Sequence, residues 1–118
     1  MRCFIYTFFI VLSLSFSSIT FGQDNNNNIL VMKILQCESN FRSNVYGDGG
    51  KAYGIAQFHK KTFYYFAEKA KPAMKKAGYW PPIYKNASHQ VFLLSWAIKT
   101  NYKPNSWTCY TKITRGNY

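Results

Sequence analysis

The hydrophobic pattern divides the chain into blocks of different character. Ile29 to Ser39 is dense in apolar residues (Ile29, Leu30, Val31, Met32, Ile34 and Leu35), which predicts a helix buried on most sides. Gln23 to Asn28, just before it, is an asparagine-rich linker whose last residue suits a helix cap. Asn40 to Lys51 breaks the pattern, with Gly47, Asp48, Gly49 and Gly50 marking a tight turn. Ala52 to Phe58 is a short apolar run in which Gly54 permits close backbone approach. Thr62 to Lys71 predicts a second helix, and Pro72 begins a further turn that ends by Gly78. Tyr79 to Tyr84 contains Pro81 and Pro82 and reads as a stiff loop. Asn86 to Lys99 is the clearest amphipathic helix, with Val91, Leu94, Trp96 and Ile98 apolar and Asn86 or Ser88 as cap. The tail from Asn101 is expected to be irregular. With no internal repeat and no long charge block, the pattern predicts a small, mainly α domain.

The leader stands apart from these blocks. Arg2 supplies a short positive region, Phe4 to Leu14 an apolar one, and Thr20 and Gly22 the small residues of a cleavage site. That layout is a secretory signal peptide. The rival reading is an uncleaved anchor, since roughly 20 residues span a bilayer. Ser13, Ser15, Ser17 and Ser18 weaken the apolar run for that role. The expected organisation is a signal peptide over 1–22 and one domain over 23–118, secreted or periplasmic. Export also changes the cysteine arithmetic. Cys3 leaves with the leader, and Cys37 and Cys109 remain as one pair in an oxidising compartment. A bridge between them would stabilise the domain by about 4 kcal/mol. Two free thiols are the alternative. A nucleophilic Cys37 is weaker still, because nothing local marks His59 or His89 as its base.

Composition then narrows the chemistry. The 118 residues carry 15 Lys and Arg against 4 Asp and Glu, a formal charge of +11; without Arg2 it is +10. Hydrophobic residues at 47% provide enough core material to set disorder aside. The acids are Asp24, Glu38, Asp48 and Glu68. So few carboxylates exclude a calcium cage and leave little room for paired-acid mechanisms. His59 and His89 have no ligand set around them at zinc spacing, so neither a metal nor a cofactor is expected. Glu38 is the unusual acid, placed beside Cys37 where an apolar helix ends. Apolar surroundings and the negative end of the helix dipole both favour its protonated form. A carboxyl held protonated is what a general acid needs. An exposed Glu at a helix end is the plainer alternative. Glu68, among Lys69, Lys71 and Lys75, reads as a surface residue, and Asp48 as a turn former.

The residues after Glu38 shift that balance. Glu38, Ser39 and Phe41, a glycine-rich turn, and then Ala52, Gly54, Ile55 and Gln57 resemble the soluble lytic transglycosylase family. That family is related to goose-type lysozymes. Its pattern is a helix ending in Glu-Ser, an aromatic two residues on, and an Ala-x-Gly-Leu-Met-Gln segment. Ala56 stands in place of the usual Met and is expected to widen that wall of the cleft. The family's later Ala-Tyr-Asn-x-Gly motif is missing, and Tyr84 or Tyr102 is a candidate substitute for its Tyr. Gln90, Trp107 and Cys109 look like a short secreted branch that pairs a late Trp-x-Cys with a Cys beside the catalytic Glu.

The resemblance implies a lysozyme-like helical fold with a glycine-rich turn and short β segment beside the active site. It also implies a substrate, the glycan strand of peptidoglycan, cut between N-acetylmuramic acid and N-acetylglucosamine. Glu38 would act first as acid and then as base, giving a 1,6-anhydro product without a second carboxylate. A hydrolytic version needs a base for water, and Asp48 is the nearby candidate. Gln57 and Gln90 would bind substrate, and Ser39 would orient Glu38 or the sugar. Tyr53 and Phe58 more often serve as core, though either could stack on a sugar face, and Tyr53 is the one expected at substrate. The expected state is a monomer that meets the membrane only through its leader. Two other readings remain. One is a catalytically idle wall-binding module. The other is a cationic binder of nucleic acid or membrane surfaces, supported by Lys60, Lys61, Lys69, Lys71, Lys75 and Lys76 around Phe63, Tyr64, Tyr65 and Phe66. Export argues against nucleic acid as a partner.

Overall fold

The computed structural model describes residues 21–116, so the expected leader lies outside it except for Phe21 and Gly22. The first helix, α1, runs Phe21–Ser39. The asparagine-rich stretch is therefore helical, and the expected linker is corrected. Val31, Ile34, Leu35 and Ser39 are buried at three- and four-residue spacing, and Glu38 falls on the same stripe. Ile29 and Met32, at 53% and 58% exposure, face outward, so the helix buries one face rather than most sides. It ends where Asn40 and Phe41 adopt φ of 53° and 61°. Their amides return to the Gln36 and Leu35 carbonyls in a Schellman-type cap.

The glycine-rich turn folds into a small antiparallel sheet of β1 (Tyr46–Gly47), β2 (Ala52–Tyr53) and β3 (Phe58–His59), in that order. Gly47 pairs with Ala52, and Ala52 with His59. A 3-10 turn at Asp48–Gly50 joins β1 to β2. Helices α2 (Lys60–Lys69) and α3 (Lys71–Lys76) follow, then the long central helix α4 (Ala87–Thr100). Asn86 caps α4, its Oδ1 accepting from the His89 amide at 3.1 Å. Leu93, Leu94 and Ala97 are fully buried, while Val91, Trp96 and Ile98 are only partly so. A helix that touches α1 on one side and α2 on another cannot keep a clean amphipathic pattern. The tail is not irregular: a 3-10 turn at Pro104–Ser106 leads into α5 (Thr108–Thr114), which packs on α1.

The core is built from Ile34, Phe63, Phe66, Met74, Leu93 and Leu94, with Trp107 and Phe58 at its edge. Each such side chain contributes about 1.5–3 kcal/mol on burial. Phe58 meets Phe63, Phe66 and Trp107 edge-on at 5.1–6.0 Å between centroids. Cys37 and Cys109 form a disulfide with Cα atoms 5.9 Å apart, tying the end of α1 to the start of α5. Among the described residues, no helix is long and apolar enough to cross a membrane.

Candidate active site

Between the end of α1, the small sheet and the start of α5 lies a polar cleft of about 460 Å³. Glu38, Gly47, Asp48, Ala52, Gln57, His59, Ser106, Trp107 and Thr108 line it. Glu38 enters from α1 because it shares the buried stripe one turn beyond Ile34 and Leu35. Burial pushes its carboxyl above the ordinary value of 4.5. Two weaker effects oppose that rise, the backbone N–H of Cys109 and the positive charge of Lys112. The Cys109 amide donates to Glu38 Oε1 at 3.4 Å, and the disulfide anchors that residue beside the carboxyl.

The sheet supplies the other wall. Gln57 holds φ 53° and turns its amide beneath the hairpin, donating to the carbonyls of Val45 at 3.1 Å and Gly54 at 2.9 Å. A Cβ at Gly47 would stand 2.0 Å from Gln57 Oε1, so any side chain there would displace the Gln57 amide. Asp48 also lines the cleft and pairs with His59, Oδ2 to Nε2, at 2.8 Å.

The cleft thus brings together Glu38, Asp48 and Gln57, but not every residue expected at substrate. Ser39 is buried, and its hydroxyl donates to the carbonyls of Ile55 at 2.7 Å and Leu35 at 3.2 Å. It fastens the loop to α1 and does not face the cleft. Gln90 is 1% exposed and equally engaged. Its Oε1 accepts from the Ala56 amide at 3.1 Å, and its Nε2 donates to the carbonyls of Tyr53 at 3.0 Å and Tyr84 at 2.8 Å. Gly54, at φ 91°, leaves room for that amide, since a Cβ there would lie 2.5 Å from Gln90 Nε2. Tyr53 sits between Tyr46 and Tyr84, outside the cleft. Ala56 does not line the cleft. It is fully buried, and its carbonyl accepts from Trp107 Nε1 at 2.9 Å.

Neither candidate for the missing tyrosine lines the cleft. Tyr84 donates its hydroxyl to the Phe58 carbonyl, and Tyr102 donates to the Tyr65 hydroxyl at 2.9 Å. Instead His59, Ser106, Trp107 and Thr108 complete the wall. His59 follows the Gln57-Phe58 pair directly, a position that alternation across β3 could have flagged. Ser106 and Thr108 depend on the fold of the tail and had no local signal. A larger groove of about 750 Å³ runs along the outer face of α4, past Val91, Phe92, Ser95 and Trp96. It is mostly apolar and contains none of the chain's acids, so its size does not make it the reacting site. Among the described residues, no three His, Cys, Asp or Glu gather as a metal-holding group.

A mainly helical domain with a half-buried carboxyl facing a polar cleft beside a short sheet has the architecture of the lysozyme-like class. The transglycosylase SLT domain matches residues 20–110, and the chain belongs to that family. Members of the family are lytic transglycosylases acting on peptidoglycan. No curated protein and no solved structure matches the chain.

Proposed function

We propose that this protein is a secreted peptidoglycan lytic enzyme that cleaves the β-1,4 bond between N-acetylmuramic acid and N-acetylglucosamine, with Glu38 as proton donor. The observation that carries the reading is the raised carboxyl of Glu38 on the wall of a polar cleft. A protonated Glu38 gives its proton to the bridging oxygen as the bond to C1 breaks. The resulting anion then accepts a proton from the muramoyl 6-hydroxyl as that oxygen closes on C1. Both donors of the Gln57 amide are engaged, which leaves Oε1 to accept from a sugar hydroxyl or acetamide. The leader, and a cysteine pair that suits an oxidising compartment, support a place outside the cytoplasm. The charge of +10 that remains without Arg2 favours encounter with the anionic wall.

Clearing of purified sacculi by wild type and Glu38→Gln tests the assignment. The variant is expected to lose at least about 100-fold in rate, the lower range for a general acid. Equal clearing by both proteins would remove Glu38 from the mechanism. Wild type that binds sacculi without clearing them would favour the wall-binding module. That reading draws on Tyr84 and Tyr102 both being engaged away from the cleft.

A further inference from the structure

Apart from Glu38, the cleft holds one pair of titratable groups. Asp48 follows β1 and His59 ends β3, with Ala52 of β2 between the two strands. Their side chains meet at 2.8 Å, Asp48 Oδ2 to His59 Nε2. Both belong to the sheet wall, whereas Glu38 comes from the helical one. The backbone here is under constraint as well. Asp48 and Gln57, both cleft-lining, hold φ of 52° and 53°. Asp adopts that conformation readily, whereas Gln holds it only where the surroundings impose it.

In the neutral imidazole a carboxylate on Nε2 fixes the tautomer, because the N–H then faces Asp48 and the lone pair lies on Nδ1. Among the described residues, Nδ1 of His59 has no protein hydrogen-bond partner. The two side chains are 46% and 65% exposed, so water reaches them. His59 is also the residue that precedes α2, but its side chain makes no capping bond there.

We propose that His59 is a second proton acceptor in this cleft and directs part of the turnover to water, with Asp48 as its positioning residue. The step rests on the reading of Glu38 as proton donor. Glu38 protonates the bridging oxygen and the C1–O bond breaks. A water oxygen bonds to C1, and the proton it loses passes to Nδ1 of the neutral imidazole. The muramoyl sugar leaves with a reducing end. Solvent then returns the proton from the imidazolium to the Glu38 carboxylate. One water is consumed, and no other co-reactant is required. The competing route needs only Glu38 and gives the 1,6-anhydro end. Product partition therefore reports on which acceptor acted.

Digestion of purified sacculi in water enriched in heavy oxygen, followed by mass spectrometry of the released fragments, tests this directly. Wild type is expected to release reducing ends carrying one heavy oxygen together with anhydro ends. In His59→Gln the ratio of reducing to anhydro ends should fall on the order of 100-fold, the scale of a lost general base. Asp48→Asn should move the ratio the same way by less. A variant that is merely less stable lowers both products together and leaves their ratio unchanged. Wild type that yields anhydro ends alone, with no product from Glu38→Gln, overturns the proposal and leaves Glu38 standing. A reducing share equal in wild type and His59→Gln also overturns it. If wild type releases no fragments, the reading of Glu38 falls and this one falls with it.

Discussion

Glu38 meets two opposing influences. Its place on the buried stripe of α1 removes water from the carboxyl, while the Cys109 amide and Lys112 partly restore support for the anion. Burial is the largest of these, so the folded protein binds this proton more tightly than the unfolded chain does. The stability associated with Glu38 is then fully present below its unfolded value and is lost as pH rises through the folded one. Glu38→Gln should accordingly melt above wild type at neutral pH, with the difference shrinking toward zero below the ordinary value of 4.5. Thermal unfolding of both proteins across that range checks it, and a gap independent of pH would contradict the assigned cause. The place of Glu38 in the cleft was legible in the sequence less from the apolar run it closes than from Ser39, Phe41 and the Ala52–Gln57 pattern that follow it. Ser39 and Gln90, expected at substrate, lie off the cleft for a related reason. A motif identifies residue types and spacing, but neighbouring positions on a helix point in different directions. Ser39 turns to the carbonyls of Leu35 and Ile55, and Gln90 to the loop it holds.

At the scale of elements, the cleft depends on the attachment of the Ala52–Phe58 segment to α4. Gln90 makes that attachment through two hydrogen bonds, to Ala56 and Tyr53, with a third to Tyr84, and Trp107, just before α5, adds one to Ala56. Gln90→Leu removes the partner of the buried Ala56 amide and of the Tyr53 and Tyr84 carbonyls. The expected cost is about 3 kcal/mol, since each buried polar group left unpaired costs about 1–3 kcal/mol. Urea unfolding measures it, and a change below about 1 kcal/mol would mean that the segment is held by other contacts. The principal helices could be read from apolar spacing, and the three short strands from the glycine-rich turn and apolar run only in outline. The tail could not be read. Helix α5 spans Thr108–Thr114, too short to form by propensity, and it is fixed by the disulfide and by its packing on α1. The asparagine stretch at the start of α1 likewise carries local preference for turns and caps, yet it continues the helix that packs on α4 and α5.

For the whole molecule, the disulfide links stability to the site. It closes a separation of 72 residues in a small domain. Replacing Cys37 and Cys109 with Ser should lower unfolding free energy by about 4 kcal/mol. It should also weaken sacculus clearing under conditions where the variant remains folded, because the Cys109 amide is no longer fixed beside Glu38. Denaturant melts combined with the clearing assay separate the two effects. Unchanged stability after replacement would contradict the structural role of the bridge. The shortage of acids that marks the composition takes on meaning at this scale. Glu38 and Asp48 reach the cleft, while Asp24 lies near Lys99 at the surface and Glu68 is exposed on α2.

Where a glycan sits relative to one carboxyl decides the mechanism. A crystal structure of Glu38→Gln with an uncleaved peptidoglycan tetrasaccharide answers that most directly. The bridging oxygen is predicted within hydrogen-bond reach of the residue 38 side chain, about 2.6–3.2 Å, with Gln57 Oε1 on the adjoining sugar. A glycan lying along the apolar face of α4, with residue 38 out of reach, would contradict the account.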